Sequence, residues 1–296
     1  MSIYKQSRDI EYEVIVIDNA SSDGSAEMVR KEFPEAILIE NRENKGFAAA
    51  NNQGMAVAKG RYVLLLNSDT VILDNAIAKT VKFADAHPEA AAVACRVLNR
   101  DRSLQQTCFM FPSILNLMLS SSYLYRLFPR SKFFGREHMT WWRRDDVREV
   151  DAATGCFMLV RREAIEAVGV MDERFFLYGE ETDWCYRFKQ AGCKILFTPH
   201  AEIIHLHGAS TRQRRSEMLL QVYGSILLFL KKHRGRLTHA LACLLLAIFF
   251  LLRVPYWLLM AIISRNGRNN HLLIARTYIV GAVKALRGGR GLCVER

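Results

Sequence analysis

The sequence predicts an α/β protein built on a mainly parallel central sheet, followed by an apolar, basic helical segment. Three observations carry this. Short apolar, β-branched runs alternate with helix-like stretches through the first third of the chain. Two of those runs stop abruptly in polar loops rich in Asp and Asn. The charge is also unevenly divided: residues 211–296 hold 15 Lys+Arg against 2 Asp+Glu, whereas residues 1–210 hold 26 against 28. The chain has 296 residues, half of them hydrophobic, which excludes a disordered polymer and fits one large domain or two modest ones.

Val14–Ile17 is a continuous apolar run of the kind a strand buried on both faces requires, and it ends at Asp18-Asn19. Ser21, Ser22, Asp23 and Gly24 supply loop chemistry, with Ser22 or Asp23 placed to cap a helix from Ser25 to Phe33. Pro34 stops that helix, and AILIE gives a second strand. Phe47–Ala58 is Ala-rich and predicts a helix stopped at Lys59-Gly60. Arg61–Leu66 is a third strand, ending in the loop Asn67-Ser68-Asp69-Thr70. Strand and helix in alternation imply right-handed crossovers, and ligands on such sheets lie beyond the strands' carboxyl ends. Asp18-Asn19 and Asn67-Ser68-Asp69 both fall there.

Asn75–His87 predicts a helix and AAVACRVL a strand, whereas residues 105–144 look irregular. Farther on, VDAATGCFMLVRREAIEAVG predicts a strand and then a helix from about Arg162, another helix runs from Glu180 to Gly192, KILFTP is a strand, and AEIIHLHGAST closes the body. We divide the chain into a body at 1–212 and a basic helical region at 213–296. In the latter, Leu237–Ile263 runs for 27 residues with Arg253 as its one formal charge. That is long enough to span a bilayer, although Arg253 and Pro255 are costly inside one. KKHRGR before it and RNGR after it assign no orientation. The expectation is attachment to anionic membrane lipid at the cytoplasmic face, peripheral, monotopic or single-span. The folded body lacks a basic surplus, so nucleic acid is not an expected partner.

Seven Cys without a CxxC pair indicate reduced thiols rather than a disulfide framework or a zinc ribbon. MSIYKQSRDIEYE has no apolar core of a secretory signal. Walker A, GxGxxG and GxSxG motifs are missing, which removes the main support for P-loop, dinucleotide and α/β-hydrolase chemistries. Asp69, directly after a buried strand, suits a metal–diphosphate site, though Asn-x-Asp is also an ordinary turn. Glu180-Glu181-Thr182-Asp183 puts three carboxylates at a helix N-terminus, which serves capping or a general base. Glu180 and Asp183 share a helix face, Glu181 does not, and Asp183 is spaced to pair with Arg187. His205 and His207 would face one side of a strand, and carboxylates with an imidazole suit Mg²⁺ or Mn²⁺.

Taken in order, VIVIDNASSDGS, NKGFAAANNQG, YVLLLNSDT, TGCFMLVRREAI, GVMDERFFLYGEETDWCYR and IIHLHGAST resemble glycosyltransferase family 2, in particular its rhamnosyltransferase-like members with a GT-A fold. The resemblance covers about residues 12–212. It implies a metal-dependent, inverting hexosyltransferase of cell-wall or polysaccharide biosynthesis. Its donor would be a nucleotide-diphosphate sugar, dTDP-rhamnose by preference, and its acceptor a glycan or a lipid-linked sugar. By the same resemblance Asp18, Ser21, Asp23, Asn44, Lys45, Gly46, Phe47, Asn51, Asn67 and Gly155 bind the nucleotide sugar. Asp69 and His205 hold Mg²⁺ or Mn²⁺, and Glu181 is the base with Glu180 its partner. The family usually begins with one more strand, which this chain lacks, and has Asp where Glu181 stands. Two other readings follow: a truncated, non-catalytic membrane-associated binding protein, and a metal-dependent hydrolase using Asp69, Glu181 and His205. Nucleotide binding tests the first, and donor turnover without acceptor tests the second.

Overall fold

The computed structural model describes residues 2–206, 215–264 and 267–292, and it divides into two compact units. The first unit comprises residues 1–111, 138–176 and 180–207. It opens with helix α1 (Ser2–Gln6), then β1 (Ile15–Asp18), α2 (Ser25–Glu32), β2 (Ile37–Glu40), α3 (Phe47–Val57) and β3 (Tyr62–Leu66). Each of the predicted early elements is present within a residue or two. β1 and β2 pair in parallel as a two-stranded sheet of their own.

The main sheet has six strands and is mixed. β4 (Thr70–Ile72), β5 (Ala90–Leu98), β7 (Arg148–Glu149), β9 (Phe157–Arg161) and β10 (Lys194–His205) join β3 in it. The order is β3-β9-β5-β10-β4, with β7 on β10. β5 and β10 are parallel, and β9 runs antiparallel to both β3 and β5, so β3, β5 and β10 share one direction. β6 (Cys108–Phe109) and β8 (Ala152–Ala153) form a further antiparallel pair.

The apolar runs are continuous because the sheet is buried on both faces. Ala92 and Ala94 of β5, Met158 and Val160 of β9, and Ile195 and Phe197 of β10 enter one core with Trp184 and Phe188. Val93, Leu159 and Leu196 enter a second core with Ala84. That alanine belongs to α4 (Ala76–Asp85), which packs on β5 and β10. The first core is closed by α8 (Glu180–Gln190), and α7 (Arg162–Val168) packs on β9.

Three sequence expectations need correction. Asn67–Thr70 is not simply loop, because β4 starts at Thr70 and pairs antiparallel with β10. KILFTP and AEIIH are one strand, with Pro199, His200 and Ala201 looped out between Thr198 and Glu202. A proline has no N–H to give the ladder, so a bulge is where it fits. Residues 105–144 also contain regular structure: α5 (Ile114–Ser122), capped by the Ser113 hydroxyl, and α6 (Leu124–Leu127).

The second unit comprises residues 112–137, 177–179 and 208–296. Besides α5 and α6 it holds α9 (Arg215–His233), α10 (Gly235–Leu251), α11 (Val254–Ile263) and α12 (Arg268–Leu286). The rings of Tyr223, Phe249, Phe250 and Tyr278 meet in tilted and edge-to-face contacts where α9, α10 and α12 come together. α12 approaches closely at Gly281, where a Cβ would stand 2.7 Å from the Phe250 ring.

Candidate active site

The polar ends of β1 and β3, predicted as site material, are organised by amide side chains. Asn19, just past β1, donates to Asn44 Oδ1 at 3.0 Å and to the Gly46 carbonyl at 3.2 Å, and its own Oδ1 accepts from Lys45 N at 3.0 Å. Asn41 donates to the same Oδ1 and exchanges two hydrogen bonds with Gln53. The Asn44–Phe47 loop is thereby fixed against the end of β1. Gly46 has φ +82°, and a Cβ there would lie 2.4 Å from the Phe176 carbonyl, the group that accepts from Phe47 N. Only glycine fits that position.

Asp18 accepts from Ser21 N at 3.1 Å, which folds the predicted nucleotide loop back on β1. Asp23 accepts from both the amide and the hydroxyl of Ser25 at the start of α2, and these bonds hold its carboxyl below the ordinary value. Asn51 donates to the Phe47 carbonyl inside its own helix. Asp23 and Asn51 are therefore engaged locally, whereas Asn44, Lys45, Gly46 and Phe47 form one fixed loop.

Phe47 leads to the candidate base. A Cβ on Gly155 would stand 2.9 Å from the Phe47 ring and 3.0 Å from Glu181 Oε1. The absence of a side chain at Gly155 lets the ring and the carboxylate meet there. Gly155 N donates to Glu181 Oε1 at 2.9 Å. Desolvation raises the Glu181 carboxyl above its usual range, opposed by the Gly155 and Glu181 backbone N–H groups. Glu180 is buried at 1% exposure on the same helix face as Asp183, so Glu181 is the carboxylate of the pair that meets Gly155.

Asp183 is the buried anchor of this helix. It pairs with Arg187 at 3.0 Å, and Arg187 also donates to the carbonyls of Val168 and Val170, each at 2.7 Å. The predicted pairing is therefore present, but buried rather than on an exposed helix face. It clamps the loop after α7 onto α8.

Across β9, β3 brings the metal candidates in. Leu66 pairs with Phe157, so Asn67 N donates to the Cys156 carbonyl at 3.1 Å, one residue from Gly155. On the other side, β10 aligns His205 with Thr70, and Leu206 N donates to the Asp69 carbonyl. His205 Nε2 consequently lies 3.1 Å from Asp69 Oδ1 and 3.3 Å from Asn67 Nδ2. His205 Nδ1 is 2.8 Å from Gln105 Oε1, and Gln105 Nε2 in turn donates to Asn99 Oδ1. An amide oxygen only accepts, so Nδ1 donates to Gln105 and Nε2 is the ring nitrogen that faces Asp69. Two ligands held about 2.1 Å from one ion at right angles stand about 3 Å apart, so this pair fits a small divalent cation. Among the described residues no group of three or more His, Cys, Asp or Glu side chains could hold a metal alone. The Cys156 thiol beside both halves is buried and pushed up to about 11, mainly by desolvation. His207 lies outside the described residues.

No pattern in the sequence pointed to Gln105, which follows an irregular loop and reaches His205 across 100 residues. Asn19 was visible as a strand-end polar residue, but its hub role was not.

The sequence model of the family described as Glycosyl transferase family 2 matches residues 2–169. An N-acetylglucosaminyl-diphospho-decaprenol L-rhamnosyltransferase of Mycobacterium tuberculosis is 27% identical over 238 residues, covering 75% of this chain and 76% of that protein. The low-salt glycan biosynthesis hexosyltransferase Agl10 of Haloferax volcanii is 25% identical over 216 residues, covering 71% and 64%. Among solved structures, the mannosyltransferase PcManGT of Pyrobaculum calidifontis, in complex with GDP-Man and Mn²⁺, superposes with a TM-score of 0.52 at 19% identity, over 96% of this chain and 81% of that one. GalNAc-T7 with UDP, GalNAc and Mn²⁺ gives 0.50 at 15% identity, over 71% of this chain and 40% of that one. These neighbours share the GT-A fold. A family match over more than half the chain, on a fold of that type, means that the chain belongs to glycosyl transferase family 2, with its rhamnosyltransferase-like members.

Proposed function

We propose that the protein is an inverting glycosyltransferase that moves a sugar, rhamnose from dTDP-rhamnose by preference, onto a lipid-linked or glycan acceptor. The observation that carries this is the Asp69–His205 pair at 3.1 Å, reached from β3, whose end bonds to Cys156 next to the Gly155 amide that donates to Glu181. Asp18, Ser21, Asp23 and the Asn44–Phe47 loop, with Asn51, Asn67 and Gly155, hold the nucleotide sugar. Asp69 and His205 hold Mg²⁺ or Mn²⁺, and Gln105 keeps the His205 ring turned toward Asp69. An ion held by Asp69 and His205 would supply positive charge to offset that of the departing diphosphate.

Glu181 takes the proton from the acceptor hydroxyl as that oxygen forms its bond to the anomeric carbon. The bond from that carbon to the diphosphate oxygen breaks, and the nucleoside diphosphate leaves with the electron pair. A single displacement inverts the centre and needs one carboxylate base. Burial suits Glu181 to this task by raising its proton affinity. Region 213–296 keeps the body 1–212 at the cytoplasmic face of a membrane carrying anionic lipid, where a lipid-linked acceptor lies.

The test is transfer from labelled dTDP-rhamnose to a polyprenyl-diphosphate sugar, with and without chelator, and NMR of the product's anomeric configuration. Inverted product that vanishes with chelator supports the proposal. Sugar released to water without acceptor supports hydrolysis instead. Absent nucleotide binding supports a non-catalytic binding protein.

A further inference from the structure

We infer that α10, α11 and α12 lie within one leaflet of an anionic bilayer and enter and leave it on the same side, rather than crossing it. This rests on the membrane attachment proposed above and specifies its geometry.

The run Gly235–Ile263 contains an 18-residue stretch with a mean hydropathy of 2.2 and has the length to cross a membrane. Its surroundings in the second unit point elsewhere. On α10, Leu237, Leu241, Leu244, Ile248 and Leu251 form an exposed stripe at helical spacing. The opposite stripe, with Ala242, Leu246, Phe249 and Phe250, is buried among α5, α9 and α12. A lone spanning helix would be clothed in lipid on every side. Here one face is already taken by protein, and only the other is left for acyl chains.

The helical run is also interrupted at Leu252-Arg253, ahead of Pro255 at the start of α11. α10 alone, at 1.5 Å per residue, is about 26 Å long, short of the roughly 30 Å hydrocarbon core. At this break the Arg253 guanidinium donates to the Phe249 carbonyl at 3.0 Å and to the Ser121 carbonyl of α5 at 2.5 Å, and it lies over the Phe249 ring. Placing Arg253 at mid-bilayer would drag α5 and its polar neighbours there as well.

α12 gives an independent constraint. It packs along both α10 and α11, so it shares their depth. Yet Arg276, in its middle, is exposed between Leu272 and Ile279 on one stripe. An exposed arginine halfway along a spanning pair costs several kcal/mol, whereas near a headgroup it snorkels to phosphate. The exposed Lys231, Arg236, Arg268, Arg287 and Arg290 border the same apolar surface and complement an anionic lipid surface.

The experiment places single cysteines at Arg236 (Arg236→Cys) and Arg268 (Arg268→Cys), one at each end of the run, in the full chain expressed in bacteria. Labelling by a membrane-impermeant maleimide above the parental signal is compared in intact spheroplasts and inverted membrane vesicles. The expected result is that both positions label in inverted vesicles and neither in spheroplasts. One position labelling from each side overturns the inference and leaves membrane attachment intact. Recovery of the parental chain in the soluble fraction overturns both. Unchanged thermal unfolding of each variant guards against misfolding.

Discussion

Glu181 sits where burial and a single backbone donor compete over one carboxyl group. Desolvation is the larger influence, so its proton affinity is raised in the folded protein. The base role proposed for Glu181 requires the ionised form, and the acid limb of the transfer rate should therefore lie above the usual glutamate range. Glu181→Gln should lower transfer about 10²–10⁴-fold, flatten that limb and leave nucleotide affinity unchanged. A rate-versus-pH series with a nucleotide titration checks this. The same shift has a stability consequence. A carboxyl whose folded pKa exceeds its unfolded one favours the folded state below the unfolded value and loses that contribution as pH rises through the folded value. Glu181→Gln should accordingly unfold at higher temperature than the parent near neutral pH, and the gap should close in acid. Gln105 offers a second test at this scale. It touches His205 Nδ1 on the side away from Asp69. Gln105→Leu should weaken Mn²⁺ binding about 10–100-fold, as loss of an outer-shell partner typically does, measured by the EPR signal of free Mn²⁺. Unaltered affinity would count against Asp69 and His205 as a metal pair.

Among the elements, α8 shows how one helix serves two purposes from two faces. Its inner face holds Glu180, Asp183, Trp184 and Phe188 in the core, and Glu181 is turned toward Gly155. Asp183 and Arg187 tie α8 to the loop after α7, where Trp184 Nε1 also donates to the Gly169 carbonyl at 2.8 Å. Asp183→Ala leaves Arg187 with an uncompensated charge in a largely enclosed place, which costs about 3 kcal/mol or more. Urea unfolding of the variant measures that loss directly. A loss below about 0.5 kcal/mol, the value of an exposed helical pair, would mean that the clamp is not structural. β4 shows the same economy: three residues decide where Asp69 meets His205, because the strand's register on β10 sets Thr70 opposite His205.

For the whole molecule, the net charge of +11 describes neither part of the chain. The body is slightly acidic, and the last 86 residues hold the surplus, interleaved with exposed Leu, Ile and Val. The full chain should sediment with vesicles containing phosphatidylglycerol, and deleting residues 231–296 should release it. Polybasic attraction is worth about 1 kcal/mol per residue near an anionic surface and is screened by salt. Binding should therefore weaken as NaCl rises, without vanishing, because the exposed apolar stripe stays buried in lipid. A flotation assay at two salt concentrations reads both effects.

The sequence alone determined the order and type of the main elements, because apolar periodicity and Pro and Gly stops act over a few positions. Val14–Ile17, Phe47–Ala58 and Arg61–Leu66 were legible for that reason, as were the strand-end loops at Asp18 and Asp69 and the charge division. The family's motifs named Glu181, Asp69 and His205, but not what stands beside them. Only the tertiary structure brought Asp69 within 3.1 Å of His205, through β4, a strand too short to show a period. It likewise set Phe47 and Glu181 against Gly155, supplied Gln105 to His205, buried the Asp183–Arg187 pair and gave Arg253 its carbonyls on α5. Each of these depends on strand register or helix packing between residues far apart in the chain, and such contacts leave no local pattern in the sequence.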